Sequence, residues 1–314
     1  MKVLVTCPPM LGMIDEFRSR FSDKDIELVT PNIVQTLSEE ELIEILPDTD
    51  GWIIGDDPAT ERVFAAGKAG KLKAAVKWGV GTDNVDFRAC QKLGIPIINT
   101  PNMFGAEVAG IAVNYVIGLA RETYRIHTEV KAGNWIKPAG ISLMNRTVAL
   151  IGYGDIGRQT AKRLFAFDMK INVYDPYAKP NREEMGNYSF RKFPQKLSEA
   201  DFVVITCALT PQTKHMINAD TISMMKDGVR IVNVSRGPVI DEIALIDGLE
   251  SGKVHSAGLD VFETEPLPSD SKLRNFERNI FGTHNGSNTS DGVRRATEQA
   301  IKELFRFLGV ESGG

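Results

Sequence analysis

Residues 147–176 read TVALIGYGDIGRQTAKRLFAFDMKINVYDP, and no other stretch of this 314-residue chain limits its fold as tightly. Thr147 to Ile151 is a short apolar run with the character of a buried strand, and Gly152, Gly154 and Gly157 follow it in a G-x-G-x-x-G spacing. Such glycines are common in turns, so the spacing alone says little. The context makes it specific: Ile156, Ala161, Leu164 and Phe165 give the next segment a helical period, and a second apolar run, INVY, ends at Asp175. A strand, a tight turn, a helix and a second strand within thirty residues form a βαβ unit, which requires a parallel sheet.

Each glycine has its own physical task. Gly152 permits the turn, Gly154 lets the backbone approach an anion, and Gly157 lets the helix pack closely on its strand. The N–H groups at the start of the helix, Asp155 and Ile156 among them, face no intrahelical partner and suit a pyrophosphate. Asp175 lies 18 residues beyond Gly157, close to the spacing at which a carboxylate binds adenosine ribose hydroxyls. A carboxylate there repels a 2′-phosphate, so NAD is expected rather than NADP, while the fingerprint alone leaves a flavin open.

The rest of the chain extends the same architecture. KVLVT, IELVT, GWIIG, KAAVKWG and IPIIN are strand-like runs bounded by Gly, Pro, Asn or Asp, with helical patterns between them. The clearest, SEEELIEIL, opens with Ser38 and Glu41 in capping-box spacing. Residues 102 to 121 form a longer apolar helical pattern that reads as a bridge between two domains. The second series then offers TVALI, INVY, DFVVIT, VRIVNVS, SAGLDVF and NIFG as strands. The expected class is α/β, with two doubly wound parallel sheets and a C-terminal helix that can return to the first domain. The last four residues, ESGG, are expected to be disordered.

Composition narrows the function classes. A chain of 314 residues suits two domains, and a net charge of −4 with scattered Lys and Arg gives no electrostatic reason to expect nucleic acid. Cys7, Cys90 and Cys207 lie far apart without a C-x-x-C pair, which argues against a disulfide framework or a metal site and for a reducing, cytoplasmic home. The opening MKVLVTCPPM lacks the long apolar region of a signal peptide. The longest apolar stretch, Ile111 to Ala120, is half a membrane span, so no membrane partner is expected.

Three later segments each put polar residues at the carboxyl end of an expected strand: Arg236 in IVNVSRGPVIDE, Asp260 and Glu265 in AGLDVFETEP, and His284 in NIFGTHNGS. That edge of an open α/β sheet is where ligands bind. The set suits hydride transfer involving a small 2-oxo or 2-hydroxy acid. A planar guanidinium, Arg236, would pair with the substrate carboxylate and polarise its carbonyl. A histidine, His284, would donate the proton, with Glu265 orienting the ring and favouring the imidazolium. In KWGVGTDNVD, the glycines flanking Val80 leave the amides of Val80 and Gly81 as an anion-binding concavity for the carboxylate.

With GVGTDNVD, GYGDIG plus Asp175, NVSRGPVIDE, and DVFETEP with GTHNGS in this order, the chain resembles the D-isomer-specific 2-hydroxyacid dehydrogenases across residues 1 to 310. It looks most like short phosphoglycerate dehydrogenase-like members without a C-terminal regulatory domain. The resemblance implies a flavodoxin-like substrate-binding domain, residues 1–99 plus 286–314, and a Rossmann NAD domain, residues 100–285. It makes Arg236, Glu265 and His284 the catalytic trio. It also places Asp260 on the nicotinamide carboxamide, Val234 to Arg236 beside the cofactor, and Cys207 and Leu209 at the adenine pocket. Homodimers built around the region of ARETYRIHTEVKAGNW are implied as well. Two departures stand out: Thr283 and Asn285 flank His284 where relatives carry Pro and an apolar residue, and Gly110 replaces a common Glu.

The activity read from this is NAD-dependent 2-hydroxyacid dehydrogenation, reversible. Glyoxylate or hydroxypyruvate reduction on the same scaffold, and a dinucleotide-sensing corepressor, are the alternatives; the intact trio weighs against the last. Relatives that take a phosphorylated acid carry a basic residue after the third strand, whereas GDDPAT here holds Asp56 and Asp57. Those carboxylates would repel a phosphate unless Arg62 or Lys77 compensates.

Overall fold

The computed structural model describes residues 1–310; ESGG, expected to be disordered, lies outside the described residues. The chain divides into two compact units, Met1–Phe104 with the segment from Asn288 onward, and Gly105–Ser287. Both are α/β with all-parallel sheets. Among the described residues no helix is long and apolar enough to cross a membrane.

The first unit has five strands, β1 (Lys2–Val5), β2 (Glu27–Val29), β3 (Gly51–Ile54), β4 (Ala74–Lys77) and β5 (Ile97–Asn99), in the order β2-β1-β3-β4-β5. This is the flavodoxin-like order, whose switch point lies between β1 and β3. β3 and β4 are buried along their whole length, as strands covered on both faces must be. The helices start where their caps dictate. Ser38 and Glu41 form the expected capping box, Thr60 caps Glu61–Ala69, and Asp86 caps Phe87–Leu93, which ends at the left-handed Gly94. Helix Ser290–Leu308 packs on β3 and β4 through Val293, Ala296, Ala300 and Leu304, and Gly51 leaves room for Leu304.

The second unit has seven strands: β6 (Thr147–Ile151), β7 (Lys170–Tyr174), β8 (Ser189–Phe190), β9 (Phe202–Ile205), β10 (Val229–Asn233), β11 (Val254–Leu259) and β12 (Ile280–Phe281). Their order is β12-β11-β10-β9-β6-β7-β8, which is the Rossmann order with one strand added beyond the sixth. The switch point falls between β6 and β9. All four apolar side chains of β9 are buried, each contributing about 1.5–3 kcal/mol. β8 was not among the expected strands: it has two residues and exists because Ser189 and Phe190 register with Asn172 and Val173 of β7.

Helix Gly105–Arg121 belongs wholly to this unit rather than bridging two. Val108, Ala109, Ala112, Tyr115, Val116 and Leu119 are buried, and the helix packs on helix Asp155–Phe165 and on β10 and β11. In the helix after the glycine turn the buried face is Gly157, Thr160, Ala161 and Leu164. Phe165, expected on that face, is 41% exposed and is the last residue of the helix, while its neighbour Leu164 stays buried.

Candidate active site

The glycine turn sits at the carboxyl end of β6, beside the switch point. Gly152 has φ +97°, and a side chain there would overlap the backbone of Thr206 and Cys207 just after β9. Gly157 is pressed against the carbonyl of Gly152, which sets the close approach of helix to strand. Gly154, by contrast, has open space where a Cβ would project, and it caps helix Asp155–Phe165. An anion can therefore approach the backbone at Gly154 and meet the first amides of that helix, those of Asp155 and Ile156. The Asp155 side chain turns away from this face and packs against Gly105.

Asp175 follows β7 and lies at the turn. Its Oδ2 accepts the N–H of Tyr153 at 2.7 Å and its Oδ1 the N–H of Tyr177 at 2.8 Å. Both oxygens keep lone pairs for ribose hydroxyls. Cys207 is half-buried beside Gly152, and burial pushes its thiol up to about 11, so it is an inert wall rather than a nucleophile. Leu209 is partly buried against the same core, and Val234 is buried at the end of β10, its N–H bonded to the carbonyl of Ile205.

The structure brings His284 and Glu265 together. His284 Nδ1 lies 2.8 Å from Glu265 Oε2, and both side chains are 21% exposed. The other oxygen of Glu265 accepts the N–H of Phe262 at 2.9 Å, closing the loop from Phe262 to Glu265 on itself. Arg236 comes from the turn after β10. Gly237 beside it leaves no room for a side chain, because the backbone of Phe262 and Glu263 lies against it. The turn carrying Arg236 is thus stacked directly on the loop carrying Glu265.

His284 itself has φ +54°, a left-handed backbone that costs a non-glycine residue of order 1 kcal/mol. Three consecutive amides hold it there. The N–H of His284 bonds the Asp260 carbonyl at 2.6 Å, and those of Asn285 and Gly286 bond Asp260 Oδ1 and Oδ2 at 3.2 and 2.8 Å. Asp260 is 3% exposed, and the Tyr115 hydroxyl lies against it; burial and then that charge push the Tyr115 phenol up. In the structure Asp260 clamps the histidine turn. Asn285, one of the two unusual neighbours of His284, takes part in that clamp through its backbone.

Val80 and Gly81 lie in the first unit, in the turn after β4. Gly79 has φ +113° and its N–H is taken by Thr100 Oγ1 at 2.8 Å. Lys77 is buried, and its ammonium is surrounded by the carbonyls of Gly55 and Trp78 at 2.6 and 3.0 Å and by Asp56 Oδ1 at 3.1 Å. Arg62 bonds Glu39 and Glu40. Asp57, expected with Asp56 to repel a phosphate, is turned into the core, where it accepts from Thr6 and from the amides of Leu37 and Gly55; burial raises its carboxyl.

Residues 113–286 match the family described as D-isomer specific 2-hydroxyacid dehydrogenase, NAD binding domain. The chain belongs to the D-isomer-specific 2-hydroxyacid dehydrogenases. Its relatives include a hydroxypyruvate reductase of Thermotoga maritima, 38% identical over 87% of this chain and 90% of that protein. They also include a D-3-phosphoglycerate dehydrogenase of Methanocaldococcus jannaschii, 36% identical over 88% of this chain but only 53% of that protein. The dehydrogenase chain thus spans about half the length of this second relative. A glyoxylate reductase from Paecilomyes thermophila superposes with a TM-score of 0.82 at 28% identity, covering 97% of this chain and 94% of that one.

NAD is the cofactor of this dehydrogenase family, and the open face of Gly154 with Asp175 beside it fits that molecule. Two residues escaped the sequence reading of the dehydrogenase. Asn233, fully buried, accepts the N–H and hydroxyl of Ser235 at 3.0 and 2.9 Å and donates to the Arg236 carbonyl at 2.9 Å, so it shapes the arginine turn. An Asn closing an apolar run before Ser is a recognisable Asx-turn signal. Tyr115, inside an apolar helix, carried no signal that set it apart from core.

Proposed function

We propose that this dehydrogenase reduces a small, unphosphorylated 2-oxo acid with NADH, His284 delivering the proton to the nascent alkoxide. The observation that carries the reading is the 2.8 Å contact of His284 Nδ1 with Glu265, on a turn clamped by Asp260. That contact orients the ring, and Nε2 is the atom assigned here to pass the proton. Bound at the glycine turn, NADH would supply the hydride. The Asp155 and Ile156 amides would hold its pyrophosphate, with Gly152 and Gly157 shaping the turn; Asp175 would take the ribose, Cys207 and Val234 would line the dinucleotide, and Asp260 would take the carboxamide. Arg236 pairs with the substrate carboxylate and polarises the carbonyl.

The absence of a phosphate in the substrate is supported by the engagement of Lys77 and Arg62 with protein acceptors. The relation to a hydroxypyruvate reductase over 90% of its length supports hydroxypyruvate and glyoxylate as the first acids to try. A panel of glyoxylate, hydroxypyruvate, pyruvate and 3-phosphohydroxypyruvate, each with NADH and NADPH at one pH, tests this. The expected result is higher kcat/KM for the unphosphorylated acids with NADH. A strong preference for the phosphorylated acid, lost on replacing Lys77 or Arg62, would overturn the substrate class, and reduction of none of the four would overturn the reaction.

A homodimer in the cytoplasm completes the reading. Tyr124, Val130, Trp135 and Met144 are exposed on the stretch following helix Gly105–Arg121, apolar area that a second copy would cover. The three free cysteines suit a reducing compartment. Light scattering that returns the monomer mass at working concentration would rule the dimer out.

A further inference from the structure

The loop that carries Glu265 is held from a side that the proton-transfer chemistry does not touch. Helix Glu242–Glu250 begins directly after the Arg236 turn, and its cap is Asp241, whose Oδ1 accepts the amides of Ile243 and Ala244 at 3.1 and 3.2 Å. Glu242 is therefore not needed as a cap. Its Oε1 instead accepts the N–H of Glu263 at 2.6 Å, one residue along from the Phe262 N–H that Glu265 holds at 2.9 Å. The Glu263 side chain continues outward to His215 Nε2 at 2.6 Å, and the His215 N–H bonds the carbonyl of Pro238 at 2.8 Å. Three segments, around His215, Gly237–Glu242 and Phe262–Glu265, thus form one hydrogen-bonded base under Arg236 and Glu265.

We propose that Glu242 is a positioning residue for the His284–Glu265 pair, its carboxylate anchoring the Phe262–Glu265 loop to the helix that follows the Arg236 turn and setting a negative charge beside the pair. This rests on His284 being the proton donor. The charged groups that face Glu242 are Glu263 and Glu265. Burial first, and then those two charges, raise its carboxyl, while the Glu263 N–H opposes the rise. On the alkaline side, where His284 loses its proton, Glu242 adds its charge to that of Glu265 in favour of the imidazolium. Reduction needs that imidazolium, so activity is present below the pH at which His284 deprotonates and is lost above it. Removing the Glu242 charge moves the loss to lower pH.

The test compares the full-length parent, Glu242→Gln, Glu242→Ala and His284→Ala, with glyoxylate and NADH as probes and kcat measured across pH. Gln keeps an oxygen for the Glu263 N–H and removes the charge; Ala removes both. Glu242→Ala is expected to lose about tenfold in kcat, the scale of one hydrogen bond to a charged group, with Kd for NADH unchanged. Glu242→Gln is expected to recover most of that loss at low pH yet to share with Ala an alkaline limb shifted down by about half a pH unit. A parent-like kcat and limb in Glu242→Ala overturns the proposal, and so does a Gln variant as impaired as Ala with an unmoved limb. Failure of the underlying reading looks different: His284→Ala would then turn over normally.

Discussion

Replacing Glu265 by Gln tests the proton-donor reading most directly, because both carboxylate oxygens are in use. Oε2 meets His284 Nδ1 at 2.8 Å and Oε1 accepts the Phe262 N–H at 2.9 Å. An amide has one oxygen, so whichever donor it serves, the other faces an NH2 group. The larger effect is the lost charge. Two unit charges about 4 Å apart interact by about 4 kcal/mol at an effective dielectric of about 20. Solvent reaches both side chains, each 21% exposed, and screening reduces this to roughly 1.4–2 kcal/mol, about one pH unit. The sign follows from the chemistry: Glu265 favours the protonated ring, reduction uses that ring, and reductive activity is therefore present at low pH and lost as pH rises. In Glu265→Gln the loss should begin about one unit lower. The assay is kcat for reduction of glyoxylate by NADH over the full pH range of activity. The reverse oxidation, which needs the neutral ring as base, should gain on its acid side by the same shift. An alkaline limb that stays where the parent has it would refute the argument, since no rearrangement of hydrogen bonds alone replaces the missing charge.

Three further outcomes are expected. His284→Ala should lower kcat by about 10²–10⁴-fold while NADH still binds, as measured by fluorescence titration; near-normal turnover would assign the proton to another group. Asp175→Ala should weaken NADH binding, partly by releasing the Tyr153 N–H that it holds at 2.7 Å, and should improve the relative use of NADPH in parallel kcat/KM measurements. Unchanged preference would move the discriminating residue elsewhere. Arg236→Lys should lose most of its activity although the charge is kept, because an ammonium cannot reproduce the planar fork; steady-state kinetics returning full activity would make Arg236 structural only.

The features legible in the linear chain are those whose causes are local. The glycine spacing, the apolar run before it and the helical period after it are all decided within a dozen residues, since positive φ at Gly152 and close contact at Gly157 are demands of one short turn. The eleven strand-like runs are of the same kind: continuous apolar residues must be covered on both faces, and a parallel sheet is how a chain of this length covers them. Arg236, Glu265 and His284 could be named because each follows such a run and therefore falls on one edge of a sheet.

What the sequence could not decide is which of these groups would be used up by others. In the linear chain Asp57 reads as a carboxylate that repels a phosphate and Lys77 as a cation that could compensate it, yet the fold encloses Lys77 with three oxygens and turns Asp57 inward onto Thr6 and two amides. The clamp that Asp260 sets on the histidine turn depends on two amides 25 and 26 residues away, and the hold of Glu242 on its loop depends on an amide 21 residues away. The two-residue strand β8 exists only through its register with β7. Residue type and period determine how a segment folds and which face it hides. Whether a polar atom is spent on structure or left for chemistry is determined by its neighbours, and those are chosen only when distant segments pack.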